Sequence, residues 1–261
     1  MNWLLAAFLG FVQGATEFLP VSSTGHLVVL QSIFGVDQAK FGLAFNAALH
    51  LGTWFALAIY FGKDLWEMVR TRSRWIGIIV LGAVPAVIAG VMIEDFISSV
   101  LERPVVVGVS LIGFSLILWA AERWGKRSRG EDGVGLREGW WVGVAQMIAL
   151  IPGVSRSGIT ISAGMLLNLK RGVAAKLAFL LSLPVVLGAG GKELLGVMGG
   201  GMRGDEVGYF VIGIISAGVA GYLAVRWLMR FLQKGSLMVF VWYRLVLGVV
   251  LLAAVMVANL R

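Results

Sequence analysis

The chain has no cysteine in 261 residues, and only 14% of them are charged. Without thiols it is not a disulfide-stapled secreted domain. The missing thiols say nothing of compartment, because transmembrane packing needs no disulfides. The shortage of charge excludes a cytosolic enzyme and a disordered chain: a soluble domain carries about 25% charged residues and about 45–50% apolar ones. Here 59% are hydrophobic and the mean hydropathy is +0.89, too little polar surface to cover a soluble globule. The N-terminus, MNWLLAAFLGFVQGATEFL, lacks a basic n-region and a small-residue cleavage site, so it reads as mature structure rather than a signal peptide. No glycine-rich turn sits between a strand and a helix. The 36 glycines therefore form no nucleotide-binding fingerprint and suit close helix packing, as in Gly196–Gly201 and Gly213–Gly221.

What is present is a succession of apolar runs. Six are long enough to cross a bilayer, near 41–62, 75–97, 104–121, 173–195, 208–229 and 237–259; a spanning helix needs about 20 apolar residues. Two others, 1–34 and 138–169, are broken by LPVSSTGH (19–26) and IPGVSRSG (151–158). Each half is too short to span, which predicts two re-entrant helix hairpins. Broken backbone at membrane depth is tolerated only where protein or a water-filled cavity surrounds it. The net charge of +8 fits basic residues collecting in cytoplasmic loops better than it fits nucleic-acid binding. With 138–169 re-entrant, fifteen of the 22 Lys and Arg fall on one side, including Lys63–Arg74, Arg123–Arg137 and Lys170–Lys176. Five (Lys40, Arg103, Lys192, Arg203, Arg261) fall on the other, and Arg156 and Arg244 lie within the membrane. The positive-inside rule then places both termini outside, with the first hairpin entering from outside and the second from the cytoplasm.

The halves resemble each other at an offset near 133 residues. Gln13, Ser22, Thr24 and Gly25 align with Gln146, Ser155, Ser157 and Gly158, and Leu43-Ala44-Phe45 with Leu177-Ala178-Phe179. The expectation is one all-α polytopic membrane domain over 1–261, an inverted-topology repeat. Each half is a re-entrant hairpin plus three transmembrane helices, repeat 1 over about 1–121 and repeat 2 over about 138–261, joined by a cytoplasmic linker at 122–137. Such repeats place the functional site near the midplane, where the broken segments meet.

Glu17, His26, Arg156 and the hydroxyls of Ser22, Ser23, Thr24, Ser155, Ser157 and Thr160 occupy the breaks. An ionisable group at membrane depth costs several kcal/mol and marks function by default. A guanidinium fork matches phosphate oxygens, half-helix N-termini hold anions, a serine beside an acid or imidazole becomes a nucleophile, and histidine moves protons near neutrality. This chemistry leaves two readings level: phosphoryl transfer on an amphiphile, or transport of an anionic substrate.

Gln13-Gly14-Ala15-Thr16-Glu17-Phe18-Leu19-Pro20-Val21-Ser22-Ser23-Thr24-Gly25-His26 resembles the first signature of the undecaprenyl-diphosphate phosphatase family, the bacitracin-resistance type. Pro152-Gly153-Val154-Ser155-Arg156-Ser157-Gly158-Ile159-Thr160 resembles its second, and the similarity runs to the late Tyr243-Arg244. The resemblance implies a bacterial inner-membrane enzyme that removes the terminal phosphate of the C55 isoprenoid diphosphate, recycling the carrier for peptidoglycan synthesis, with a divalent cation, Mg²⁺ or Ca²⁺. By resemblance Glu17, Ser23, His26 and Arg156 are catalytic, with Ser23 or His26 the nucleophile. Gln13, Ser22, Thr24, Ser155, Ser157 and Thr160 would bind phosphate, and Glu17 would hold the metal. Position 13 is Gln, where the family also uses Glu, so an acid role there does not carry over. The implied partners are the lipid diphosphate, the bilayer and a second copy in a homodimer, not nucleic acid, and the site would open to the external face.

Among the remaining residues, His50 and Asn46 lie in the first full span, and His50 reads more simply as a buried histidine bonded to a neighbouring helix than as a partner of the site. Snorkelling at the interface accounts for Arg244, as would contact with lipid phosphate or substrate. Glu94 and Asp95 read as a solvated helix end, the cluster Arg127–Asp132 as a loop facing anionic lipid, and Trp140, Trp141 and Trp242 as interfacial belts.

Overall fold

The computed structural model describes residues 2–37, 42–92, 104–199 and 204–259. They form eleven α-helices: α1 (Trp3–Glu17), α2 (Ser23–Ile33), α3 (Leu43–Tyr60), α4 (Gly62–Arg70), α5 (Ser73–Met92), α6 (Pro104–Trp124), α7 (Leu136–Ile148), α8 (Arg156–Leu166), α9 (Arg171–Gly199), α10 (Gly204–Phe231) and α11 (Met238–Asn259). Among the described residues there is no β-strand, only an isolated bridge between Arg129 and Leu169. Helices α5, α6, α9, α10 and α11 are long and apolar enough to cross a membrane, and α3 with α4 makes a sixth span if that pair counts as one. The chain is an all-helical polytopic membrane protein.

The expected spans hold with shifted ends. The first stops at Tyr60, where α4 bends away by 65°. Lys63, Asp64, Glu67 and Arg70 make α4 too polar to continue through lipid. Glu94, Asp95, Lys40, Arg103, Arg203 and Arg261 lie outside the described residues.

Small residues decide which helices meet. α1 runs along α10, where Gly10 lies against Gly213 and Gly14 against Ala217. α7 runs along α5, where Gly143 lies against Gly82 and Gly139 against Ile78. α6 pairs with α11 through Gly108 and Gly248. A Cβ at Gly10, Gly14, Gly108, Gly139, Gly143 or Gly248 would meet the facing helix, and such close approach is how helices associate where lipid removes the hydrophobic drive. α3 lies between α10 and α9, fixed to α9 by Trp54 Nε1 donating to the Leu183 carbonyl at 3.0 Å.

The basic loops gather at one end, where the linker is pinned rather than free. Glu122, buried at the end of α6, accepts from Arg127, Arg171 and the Ser236 hydroxyl, joining the linker to the starts of α9 and α11. Arg129 donates to Glu138 and to the Leu167 and Gly133 carbonyls, and Lys176 pairs with Asp64 and Glu131. This corrects the reading of Arg127–Asp132 as a lipid-facing loop: Arg127, Arg129 and Glu131 are held by protein partners. Charged groups that find protein partners are spared the cost of facing lipid.

Candidate active site

Both hairpins break in the same way. Pro20 has no N–H and turns Leu19 away from helical backbone, ending α1. Ser22 then takes φ +70°, and α2 starts at the next residue, Ser23. In the second break Pro152 precedes Gly153 at φ +91° and Ser155 at φ +68°, and α8 starts at Arg156. Left-handed backbone at a non-glycine residue costs on the order of 1–3 kcal/mol and persists only where the surroundings impose it. Ser22 and Ser155 are the pair aligned by the internal repeat.

The tips touch. Glu17, the last residue of α1, is 7% exposed. Its Oε1 is paired with Arg156 Nη2, while its Oε2 accepts from Ser23 Oγ at 2.6 Å and from Gln13 Nε2 at 2.8 Å. Ser157 Oγ donates to the Leu19 carbonyl at 2.9 Å, a second bond between tips. A buried carboxylate is tolerated when every face has a donor, and stripping one partner from such a pair costs about 3–5 kcal/mol. Beside the pair lies a narrow cleft, lined by Glu17, Arg156, Ser157, Thr160 and Ser182 and walled by Phe18 and Phe179. Those two rings meet edge to face at 5.5 Å and close the apolar side.

The remaining expected residues divide. Ser155 caps α8, accepting from Gly158 N at 3.3 Å. Because Ser157 spends its proton on Leu19, the 3.2 Å contact between the two serines runs from Ser155 Oγ to Ser157 Oγ. Thr160 Oγ1 donates back to the Arg156 carbonyl at 2.7 Å while lining the cleft. These hydroxyls build the tip, so their protons are already committed. The Ser22 carbonyl accepts His26 Nδ1–H at 2.8 Å, and Thr24 is exposed in the first turn of α2. The His26 ring lies parallel to Tyr243, 5.7 Å away, with Nε2 accepting from the Tyr243 hydroxyl. Ser23, not His26, is therefore the group on the carboxylate.

Two residues weighed lightly in the sequence belong to the site. His50, on α3, has Nδ1 bonded to Gln13 Nε2 and 3.7 Å from Glu17 Oε2. Asn46, one turn earlier, instead exchanges amide bonds with Gln31 of α2. Arg244 does not snorkel. It is 1% exposed, donates Nη2 to the Gly153 carbonyl at 3.1 Å and so holds the second tip from α11. Its long side chain points into the bundle from a helix whose neighbours Trp242 and Tyr243 are exposed. Ser182, donating to the Phe179 carbonyl at 2.7 Å, carried no sequence signal.

A family model described as bacitracin resistance protein BacA matches residues 6–250 of the chain, taking in both hairpins and Arg244. The chain belongs to the BacA family. Relatives named undecaprenyl-diphosphatase lie close to this member. One from Thermomicrobium roseum is 42% identical over 99% of this chain and 100% of the relative. One from Rubrobacter xylanophilus is 41% identical over 97% and 98%, and one from Geobacter metallireducens 40% over 95% and 96%. In this BacA-family chain the two signature segments are the two hairpin tips, and what they bring together is an acid, a serine and a guanidinium.

Proposed function

We propose that the chain hydrolyses undecaprenyl diphosphate to undecaprenyl phosphate and inorganic phosphate, recycling the lipid carrier for peptidoglycan synthesis and so conferring bacitracin resistance. The names of its relatives support the activity. The observation that carries it here is that Glu17 is bonded at once to Arg156 of the opposite hairpin and to the Ser23 hydroxyl.

The chemistry follows from that arrangement. An incoming terminal phosphate competes with Glu17 for the Arg156 guanidinium, whose fork matches two of its oxygens. Glu17, released from Arg156, keeps Ser23. Ser23 Oγ attacks the terminal phosphorus in line, its proton passes to Glu17 Oε2, and the bridging P–O bond breaks so that lipid monophosphate leaves with the electron pair. Water then displaces the phosphate from Ser23, which recovers its proton. Arg156 holds the charge on the transferred group, the main lever in such reactions. His26, with Tyr243, carries protons away. It is the weaker nucleophile candidate because its Nε2 already accepts from Tyr243.

Among the described residues no three His, Asp or Glu side chains converge to hold a metal ion. Glu17 offers one carboxylate, already shared with Arg156. A Mg²⁺ or Ca²⁺ ion fits only as one held largely by the diphosphate's own oxygens, as Mg²⁺ is in many phosphate sites, where it would offset phosphate charge.

The reading includes an inverted repeat with both termini outside, in the bacterial inner membrane, and a site opening outward. The helix contacts support it: matching the halves exchanges α1 on α10 with α7 on α5, and Gly10–Gly213 with Gly143–Gly82. The pinning of the basic linker at one end supports an opening at the other. Pure protein in detergent, where transport cannot occur, is expected to release phosphate from C55 or C15 isoprenoid diphosphate, and a chelator to slow it. Arg156→Ala is expected to lose about 10²–10³-fold or more in kcat, eluting as folded protein with a melting temperature lowered because Glu17 is left unpaired. No release by the wild type would overturn the enzyme, and near-normal Arg156→Ala would overturn the role of the guanidinium.

A further inference from the structure

Gln13 is fully buried, and its two N–H bonds are both used: one on Glu17 Oε2, one on His50 Nδ1. Its Oε1 is buried with no hydrogen-bond partner among the described residues. An amide left to itself would turn to satisfy its carbonyl. Turned over, however, it would set Oε1 against the carboxylate and against an unprotonated imidazole nitrogen, two acceptors facing an acceptor. The orientation is thus imposed by its two partners, and His50 is one of them. His50 Nδ1 stands 3.7 Å from Glu17 Oε2, too far for a direct hydrogen bond, so the hydrogen-bonded path from the ring to the acid runs through the amide between them. The repeat offers a contrast. Gln146, aligned with Gln13, also leaves Oε1 unpartnered, but it donates to the Leu181 carbonyl at 3.4 Å. The position aligned with Glu17 is Leu150, so no acid stands there to be oriented.

We infer that His50 is a positioning residue for the proposed phosphatase: as a neutral ring with its proton on Nε2, it holds the Gln13 amide so that Glu17 Oε2 stays aimed at the Ser23 hydroxyl. This rests on the phosphatase reading for its consequence but not for its geometry. His50 takes no part in binding the diphosphate. Loss of the acceptor at Nδ1 therefore frees Gln13 and weakens the step in which Glu17 takes the serine proton, leaving substrate affinity alone.

Two measurements decide it. In detergent, His50→Leu is expected to lower kcat about 10–100-fold with KM within twofold, while His50→Asn, which returns an acceptor near the Nδ1 position, recovers most of the loss. In a Gln13→Ala background, His50→Leu is expected to change kcat no further. Full kcat in His50→Leu, no recovery in His50→Asn, or losses that multiply in the double variant would each overturn the inference. The second measurement does not need turnover. The chain has two histidines, so nitrogen NMR of ¹⁵N-histidine protein gives two rings, and His50→Asn assigns them. The His50 ring is expected with Nδ1 unprotonated and Nε2 protonated, and to lose that preference in Gln13→Ala. A ring protonated on Nδ1, or one indifferent to Gln13→Ala, would overturn the inference. Wild-type protein that shows the expected tautomer yet releases no phosphate would instead sink the phosphatase reading and leave the positioning intact.

Discussion

Arg244 shows what a single buried cation means in lipid. One guanidinium nitrogen is bonded to the Gly153 carbonyl, but Nε and Nη1 are buried without a partner among the described residues. Desolvating a charge without a counter-charge is costly, and a group kept in spite of that cost is kept for use. Arg244→Met is therefore expected to leave the melting temperature unchanged or raised while lowering phosphate release about tenfold or more. A destabilised but fully active variant would show the charge to be structural. Ser23 makes a complementary prediction: denaturing quench during turnover of terminally labelled substrate is expected to trap labelled phosphoserine, absent in Ser23→Ala. Label found on His26 would reverse the assignment of nucleophile. That Glu17, Ser23 and Arg156 meet was legible because the two motifs are long and the acid and the guanidinium stand out against apolar flanks. His50 and Arg244 were not legible as site residues. Their partners, Gln13 and Gly153, are 37 and 91 residues away, and Leu-His-Leu and Tyr-Arg-Leu read like any core or interface segment.

At the scale of the helix, Pro and Ser announced the breaks, and the left-handed serines that form them follow from the need to restart a helix within a few residues. The bend at Phe61 had no comparable signal, since the apolar run continues to its last residue and only the charges of α4 argue against a straight span. Glycine was informative in number and uninformative in pairing: nothing in the sequence says that Gly143 faces Gly82. That contact yields a prediction. Gly143→Leu would drive a side chain into the Gly82 backbone and part α7 from α5. Overpacking typically costs about 1–3 kcal/mol, and more is expected where backbone meets backbone. The melting temperature should fall sharply, and phosphate release with it, because α7 carries the second tip. Gly62→Ala, where a Cβ would meet open space, should leave both unchanged.

For the molecule as a whole, the charge count located the polar end, but not its ties. Glu122 gathers the linker and the starts of α9 and α11, and Glu122→Ala is expected to cost about 3–5 kcal/mol by leaving Arg171 uncompensated, read as a lower melting temperature with no change in KM. The absence of native cysteine makes the orientation directly measurable. In intact cells an impermeant maleimide should label Asn2→Cys, and should reach Ser128→Cys only after permeabilisation; the reverse pattern would invert the assignment. The pairing of Glu17 with Arg156 also bears on biogenesis. The partners are 139 residues apart in the chain. At about 5–20 residues per second, a ribosome takes on the order of ten seconds to deliver the arginine after the glutamate. Throughout that interval the Glu17 carboxylate has only Gln13 and Ser23, donors of its own hairpin, so the first tip to be made waits for its counter-charge until the second is synthesised.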